Sequence, residues 1–167
     1  AILQRYPERH YGHDRMTANL GSRPRVVVLG AGFGGLRAAR VLARHAVDVE
    51  LVDRNNYHTF LPLLYQIAAA EVEPEEIAYP VRSIIRRYPN VRFTMAEVER
   101  IDLEARRVVA SGIDLSYDYL VIALGSVASY FGIPGAAEHT FPIKEMDEGI
   151  AIRNHILSRF EHAQNEK

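Results

Sequence analysis

The chain has 167 residues, 48% hydrophobic and 25% charged, with a formal net charge of -1. That length supports one domain with a proper core and leaves no room for a second nucleotide-binding domain. The balanced charge argues against disorder and against nucleic acid as a partner. The chain has no cysteine, so disulfides, thiolate metal sites and thiol redox relays are excluded together.

Residues 1 to 24 are rich in Arg, His and Tyr without sustained periodicity and read as a leader or tail. Val26 to Leu29 form a continuous apolar run, as in a strand covered on both faces of a parallel sheet. A glycine cluster follows at once. From Leu36 to Ala46, apolar Leu36, Ala39, Val41, Leu42 and Ala43 alternate with Arg37, Arg40 and Arg44, predicting an amphipathic helix. Val47 to Val52 is the next strand, completing a βαβ unit. Asn55 to Ala70 reads as a loop entering an apolar helix, and Glu75 to Arg87 as a helical segment interrupted by Pro80. Short strands at 91–97, 99–103 and 106–110 suggest a meander. Tyr119 to Ala123 reads as another buried strand, and Met146 to Glu161 as a helix. The expected fold is α/β: a Rossmann-type domain over residues 25–161 with a central parallel sheet, the βαβ unit and a small antiparallel β meander, then a tail at 162–167. No stretch approaches the ~20 apolar residues of a membrane span, and no signal-peptide core is visible, so the chain reads as cytoplasmic.

Gly30-Ala31-Gly32-Phe33-Gly34-Gly35 supplies a G-x-G-x-x-G pattern where the first strand hands over to the helix. Gly30 permits the tight turn, Gly32 lets a diphosphate approach the backbone, and Gly35 lets helix and strand lie close. The helix dipole contributes about 0.3–1 kcal/mol at such a site. Charge-assisted hydrogen bonds from free amides add roughly 1.5–3 kcal/mol each. Asp53 closes the second strand about 20 positions on, where an acid accepts from an adenosine ribose hydroxyl and repels a 2′-phosphate. Arg54 can meet a phosphate or adenine, or stay solvated. This pattern recognises an ADP half, so NAD and FAD fit it equally.

Three stretches go further: VVVLGAGFGGL from Val26 to Leu36, DRNNYHTFLPLLYQIA from Asp53 to Ala68, and YDYLVIALGS from Tyr117 to Ser126 with YFGIPG after it. In this order and spacing they resemble the type II NADH dehydrogenases, two-dinucleotide-domain flavoproteins that pass electrons from NADH through FAD to a quinone. The resemblance covers most of the chain from Arg25 to Ala163. It implies FAD as cofactor, bound by Gly30, Gly32, Phe33, Gly34, Gly35, Asp53, Arg54 and Asn55. Thr59, Phe60 and Leu61 would lie along the path to the flavin ring, Val98 by the adenine, and Ala123, Leu124 and Gly125 close to the cofactor. The wider flavoprotein motif often has Thr where this chain has Leu124. No side chain is assigned a catalytic role and no metal ligand set is assigned; His58 stays open between a hydrogen-bonded loop histidine and a direct redox or proton role, and Tyr65 and Gln66 between helix packing or capping and proximity to the cofactor or quinone. Arg82, Arg86 and Arg87 read as a solvated helix face.

A flavin takes a hydride from NADH, and without cysteines electrons would leave it directly for a diffusible acceptor such as a quinone. No second glycine fingerprint occurs before Lys167, so the NADH domain is missing and this length of chain is expected to be inactive alone. In the complete enzyme the resemblance implies a peripheral position on the cytoplasmic face of the inner membrane, contacted through a C-terminal part absent here, and leaves room for a homodimer. Two other readings stand beside it: a single-domain NAD-dependent oxidoreductase, and a non-catalytic FAD- or NAD-binding module. The first finds no Tyr-x-x-x-Lys pair to support it.

Overall fold

The structure is a computed structural model that describes residues 23–165; the expected leader lies almost wholly outside them. Its centre is a four-stranded parallel sheet in the order β5-β2-β1-β9. The strands are β1 (Arg25–Leu29), β2 (Asp48–Asp53), β5 (Val91–Met95) and β9 (Tyr119–Ile122). β1 feeds opposite sides of the sheet by simple alternation. Val26 and Val28 enter a cluster with Leu36 and Ala39 of α1 (Phe33–Leu42), with Leu51 and with Val81 and Ile85 of α4 (Val81–Ile85). Val27 and Leu29 enter a second cluster with Val52, Val108, Ala110 and Leu115. Val26, Val27, Val28 and Leu29 are nearly or fully buried; this two-sided cover is why the run is apolar without gaps.

The layer facing α1 across the sheet is a three-stranded antiparallel meander, β6 (Val98–Asp102), β7 (Arg107–Ala110) and β8 (Ile113–Ser116). β7 and β8 are joined through Ser111 and Gly112, both at positive φ (46° and 74°). That is the backbone of a type I′ turn, whose twist matches the strands it joins. A third, smaller core gathers Leu64, Ile67, Ile77 and Met146. It packs α2 (Leu64–Ala68) and α3 (Pro74–Ile77) against the start of α6 (Met146–Asn165). Beside it β3 (Tyr57–Thr59) pairs antiparallel with β4 (Ala78–Pro80). A short helix, α5 (Ala136–His139), precedes α6.

Several expectations need correction. α1 begins at Phe33, earlier than Leu36, because its first turn is built of glycines that carry no apolar periodicity. It also stops at Leu42, where Arg44 and His45 donate to Val41 and Leu42 and tighten the chain into turns. The segment 91–97 is not meander: β5 extends the parallel sheet beside β2, and as an edge strand it shows the alternation of a half-covered one. The interrupted helix at 75–87 is α3, then β4, then α4; Pro80 ends the strand and precedes α4, where a missing N–H costs nothing. β9 is an edge strand rather than a fully buried one, with Tyr119 64% and Ile122 58% exposed. α6 runs past Glu161 to Asn165 and is mostly exposed.

Candidate functional site

Strand order reverses between β1 and β9. After β1 the chain builds outward through β2 to β5, then returns to the other side of β1. Such a switch point opens a crevice at the carboxyl ends of the strands, where open α/β sheets bind ligands. The glycine turn leaves β1 at this crevice and Ala123, Leu124 and Gly125 leave β9 beside it.

Local contacts fix the turn tightly. The Gly30 amide donates to the Val52 carbonyl at 2.7 Å, and the Ala123 amide to Leu29 at 2.8 Å. Gly30 has φ +97°, and a Cβ there would sit 2.3 Å from the Ala123 carbonyl oxygen. A Cβ on Gly35 would come within 1.7 Å of the Gly30 carbonyl oxygen. Both glycines are therefore required by the protein's own packing. Gly32 is different: its φ is an ordinary -72°, and a Cβ built on it meets nothing within 4 Å. Packing gives no reason for glycine there, whereas a diphosphate lying against the backbone does. The N-terminus of α1, at Phe33, Gly34 and Gly35, has no side-chain cap and no acidic residue in its first turn. Its free amides and the helix dipole suit an anion.

Asp53, at the end of β2, reaches across to this turn. One carboxylate oxygen accepts from the Ala31 amide at 2.6 Å and the other from the Asn55 amide at 2.8 Å. Each oxygen retains a lone pair for a further donor. From β3, His58 completes the grip on Ala31: Nδ1 lies 3.0 Å from the Ala31 carbonyl oxygen. A carbonyl can only accept, so Nδ1 carries the proton. The Phe33 ring stands edge-on to His58 at 4.8 Å and to Phe60 at 5.5 Å between centroids. Phe33, Phe60 and Leu61 are half-exposed at the mouth.

The structure thus brings Gly30, Gly32, Phe33, Gly34, Gly35, Asp53, Asn55, Phe60 and Ala123 around one crevice. Thr59 lies on β3, paired with Ala78, and Leu124 and Gly125 are exposed beyond β9. Val98 opens β6, two residues after Ala96, whose amide donates to the Asp53 carbonyl at 2.9 Å. Arg54 is turned to another partner and forms an ion pair with Glu145. Tyr57, half-buried on β3, has its phenol pushed above the ordinary value of 10.0 by burial first and then by the carboxylates of Asp147 and Glu145. Ala31 and His58 had no sequence signal as a clamp, because one acts through its backbone and the other lies on a strand of three residues. Among the described residues no helix is long and apolar enough to cross a membrane.

Comparison with known proteins agrees with this geometry. A type II NADH:quinone oxidoreductase of Mycobacterium tuberculosis is 41% identical over 149 residues, 87% of this chain and 32% of that protein. One from Staphylococcus aureus is 32% identical over 83% of this chain and 35% of its own length. The chain spans about a third of the length of these relatives. Among solved structures, the sulfide:quinone oxidoreductase of Aquifex aeolicus superposes with a TM-score of 0.74 at 27% identity, over 83% of this chain and 32% of that one. NDH2 of Plasmodium falciparum shares the fold with a TM-score of 0.74 at 24% identity, over 85% of this chain and 30% of its own. Residues 24–162 match the pyridine nucleotide-disulphide oxidoreductase family along their whole extent, and the chain, though it has no cysteine, belongs to that family.

Proposed function

We propose that this chain is the FAD-binding part of a type II NADH:quinone oxidoreductase. The observation that carries the reading is the uncapped α1 N-terminus fronted by Gly32, a glycine the fold itself does not need, next to a carboxylate at the end of β2. The amides of Phe33, Gly34 and Gly35 would take the diphosphate, with Gly30 shaping the turn. Asp53 would take the adenosine ribose through its remaining lone pairs, and Asn55 holds that carboxylate in place from behind. Thr59, Phe60 and Leu61 on one side and Ala123, Leu124 and Gly125 on the other are the residues for the rest of the cofactor, with Val98 toward the adenine. Arg54 would have to leave Glu145 to reach a phosphate, so its part is the holding of α6 against the site. When bound, FAD supplies hydride acceptance and onward electron transfer. NADH and a quinone are the substrates of the whole protein, which docks on the membrane surface through segments other than those described.

The purified chain reconstituted with FAD should keep an absorption band near ~450 nm through gel filtration, from the cofactor's own chromophore. Gly32→Ala should fold normally yet bind FAD about tenfold or more weakly, because the methyl displaces the diphosphate from charge-assisted bonds. Absence of the band in the parent, or unchanged FAD affinity in Gly32→Ala, overturns the reading.

A further inference from the structure

At the far end of α1 from the glycine turn lies a second concentration of anion-seeking groups. Arg37, Arg40 and Arg44 follow one another at helical spacing and share the exposed side of α1 and its exit turn. Arg87 joins them from the turn after α4, its guanidinium 5.9 Å from the centre of the Tyr88 ring. With Val41 and Tyr88 these four arginines line a depression of about 190 Å³ that contains no acidic residue. Both walls are anchored: Leu36 and Ala39 are buried beneath α1, and Tyr88 packs on the same core cluster.

Arg54, Arg92, Arg100, Arg107 and Arg153 each meet a carboxylate. Among the described residues none of the four in the depression does. What sets these four apart is their convergence on one concave surface without an acid, since among the described residues Arg82, Arg86, Arg106 and Arg159 also meet no carboxylate. The helix dipole favours cations near the end of α1 and so accounts for Arg40 and Arg44, but not for Arg37 nor for Arg87 on a separate element. A concave surface lined by one sign of charge concentrates counter-ions, and guanidinium forks match phosphate oxygens two at a time. From this we infer that the depression between α1 and the Arg87–Tyr88 turn binds a soluble oligophosphate anion, at a site separate from the glycine turn. A lipid surface suits it less well, since the only apolar groups lining it are Val41 and the Tyr88 ring.

The test is titration of the whole chain with inorganic tripolyphosphate by calorimetry, after saturation with FAD to occupy the glycine turn. Saturable binding is expected, weakened about tenfold in Arg40→Gln/Arg44→Gln, the order expected when two exposed, solvent-screened ion pairs are lost. A control, Arg106→Gln/Arg159→Gln, removes the same charge from other elements and should bind as the parent does. Gly32→Ala, whatever it does to FAD, should leave tripolyphosphate binding intact, so failure of the flavin reading does not touch this one. No saturable binding, equal weakening in the control, or arginine-dependent binding only to vesicles containing an anionic phospholipid would each overturn the proposal.

Discussion

Ala31 buries its methyl in the core under α1, and both of its backbone groups are spoken for as well: the amide by Asp53 and the carbonyl by His58. This double hold keeps the glycine turn in a single geometry before any ligand arrives, which lowers the ordering cost of binding. Asp53→Asn keeps the size but replaces one acceptor with an amide NH2, so either the Ala31 or the Asn55 amide faces a donor. The expected cost is about 1–3 kcal/mol of folding stability, the penalty for an unsatisfied polar group. His58→Phe keeps an aromatic ring against Phe33 and loses only the bond to the Ala31 oxygen, costing roughly 1 kcal/mol. Urea unfolding of both variants measures this; if His58→Phe is the more damaging, His58 acts through something other than that bond.

Between residues and fold, the short elements around the crevice were the least legible. The βαβ unit could be read because a buried run, a glycine turn and an amphipathic run each leave a periodic mark. β3 and β4 leave none, being three residues each and separated in sequence by α2 and α3. β8 was legible in principle, since Ser111-Gly112 is a recognised hairpin dipeptide, but its exposed Ile113 and Asp114 hide the alternation. β5 and β9 show only half the burial of inner strands because each is an edge, so pattern alone misassigned the first and overstated the cover of the second. The site followed the same rule: glycines and the strand-end acid stand out by spacing, while the His58 clamp and the Arg54–Glu145 pair depend on tertiary approach. One pH effect belongs to this scale. Tyr57 packs with the α2–α3–α6 cluster, where burial and then Asp147 and Glu145 raise its phenol above 10.0. The unfolded chain therefore releases this proton at lower pH than the folded one. The stabilisation is complete below pH 10 and is lost as pH rises from 10 through the folded value. Unfolding midpoints taken across that range should fall less steeply in Tyr57→Phe than in the parent; parallel slopes would show that the phenol is not the responsible group.

Seen whole, the chain places its strongest apolar exposure on the β9 side of the sheet. Tyr119 and Ile122 on β9 and Leu124, Val127, Phe131 and Ile133 after it are all more than half exposed. β1 is the neighbour on one edge of β9, and among the described residues no strand pairs with the other. A parallel edge with free amides and carbonyls flanked by apolar side chains is a template for another strand. An apolar surface of this kind also marks contact with further protein. In a chain that spans about a third of its relatives' length, the same surface is where two copies would meet if nothing else covered it. The 167-residue chain should therefore self-associate with rising concentration, as followed by light scattering. Ile122→Lys places a charge on the exposed edge, where its long side chain can stay in water, and should shift the population toward monomer. Ile122 is 58% exposed, so the change should cost within about 0.5 kcal/mol of stability, as for other surface substitutions. If Ile122→Lys associates as strongly as the parent, the contact lies elsewhere. The exposed Leu157 and Phe160 on α6 would then be the next positions to charge.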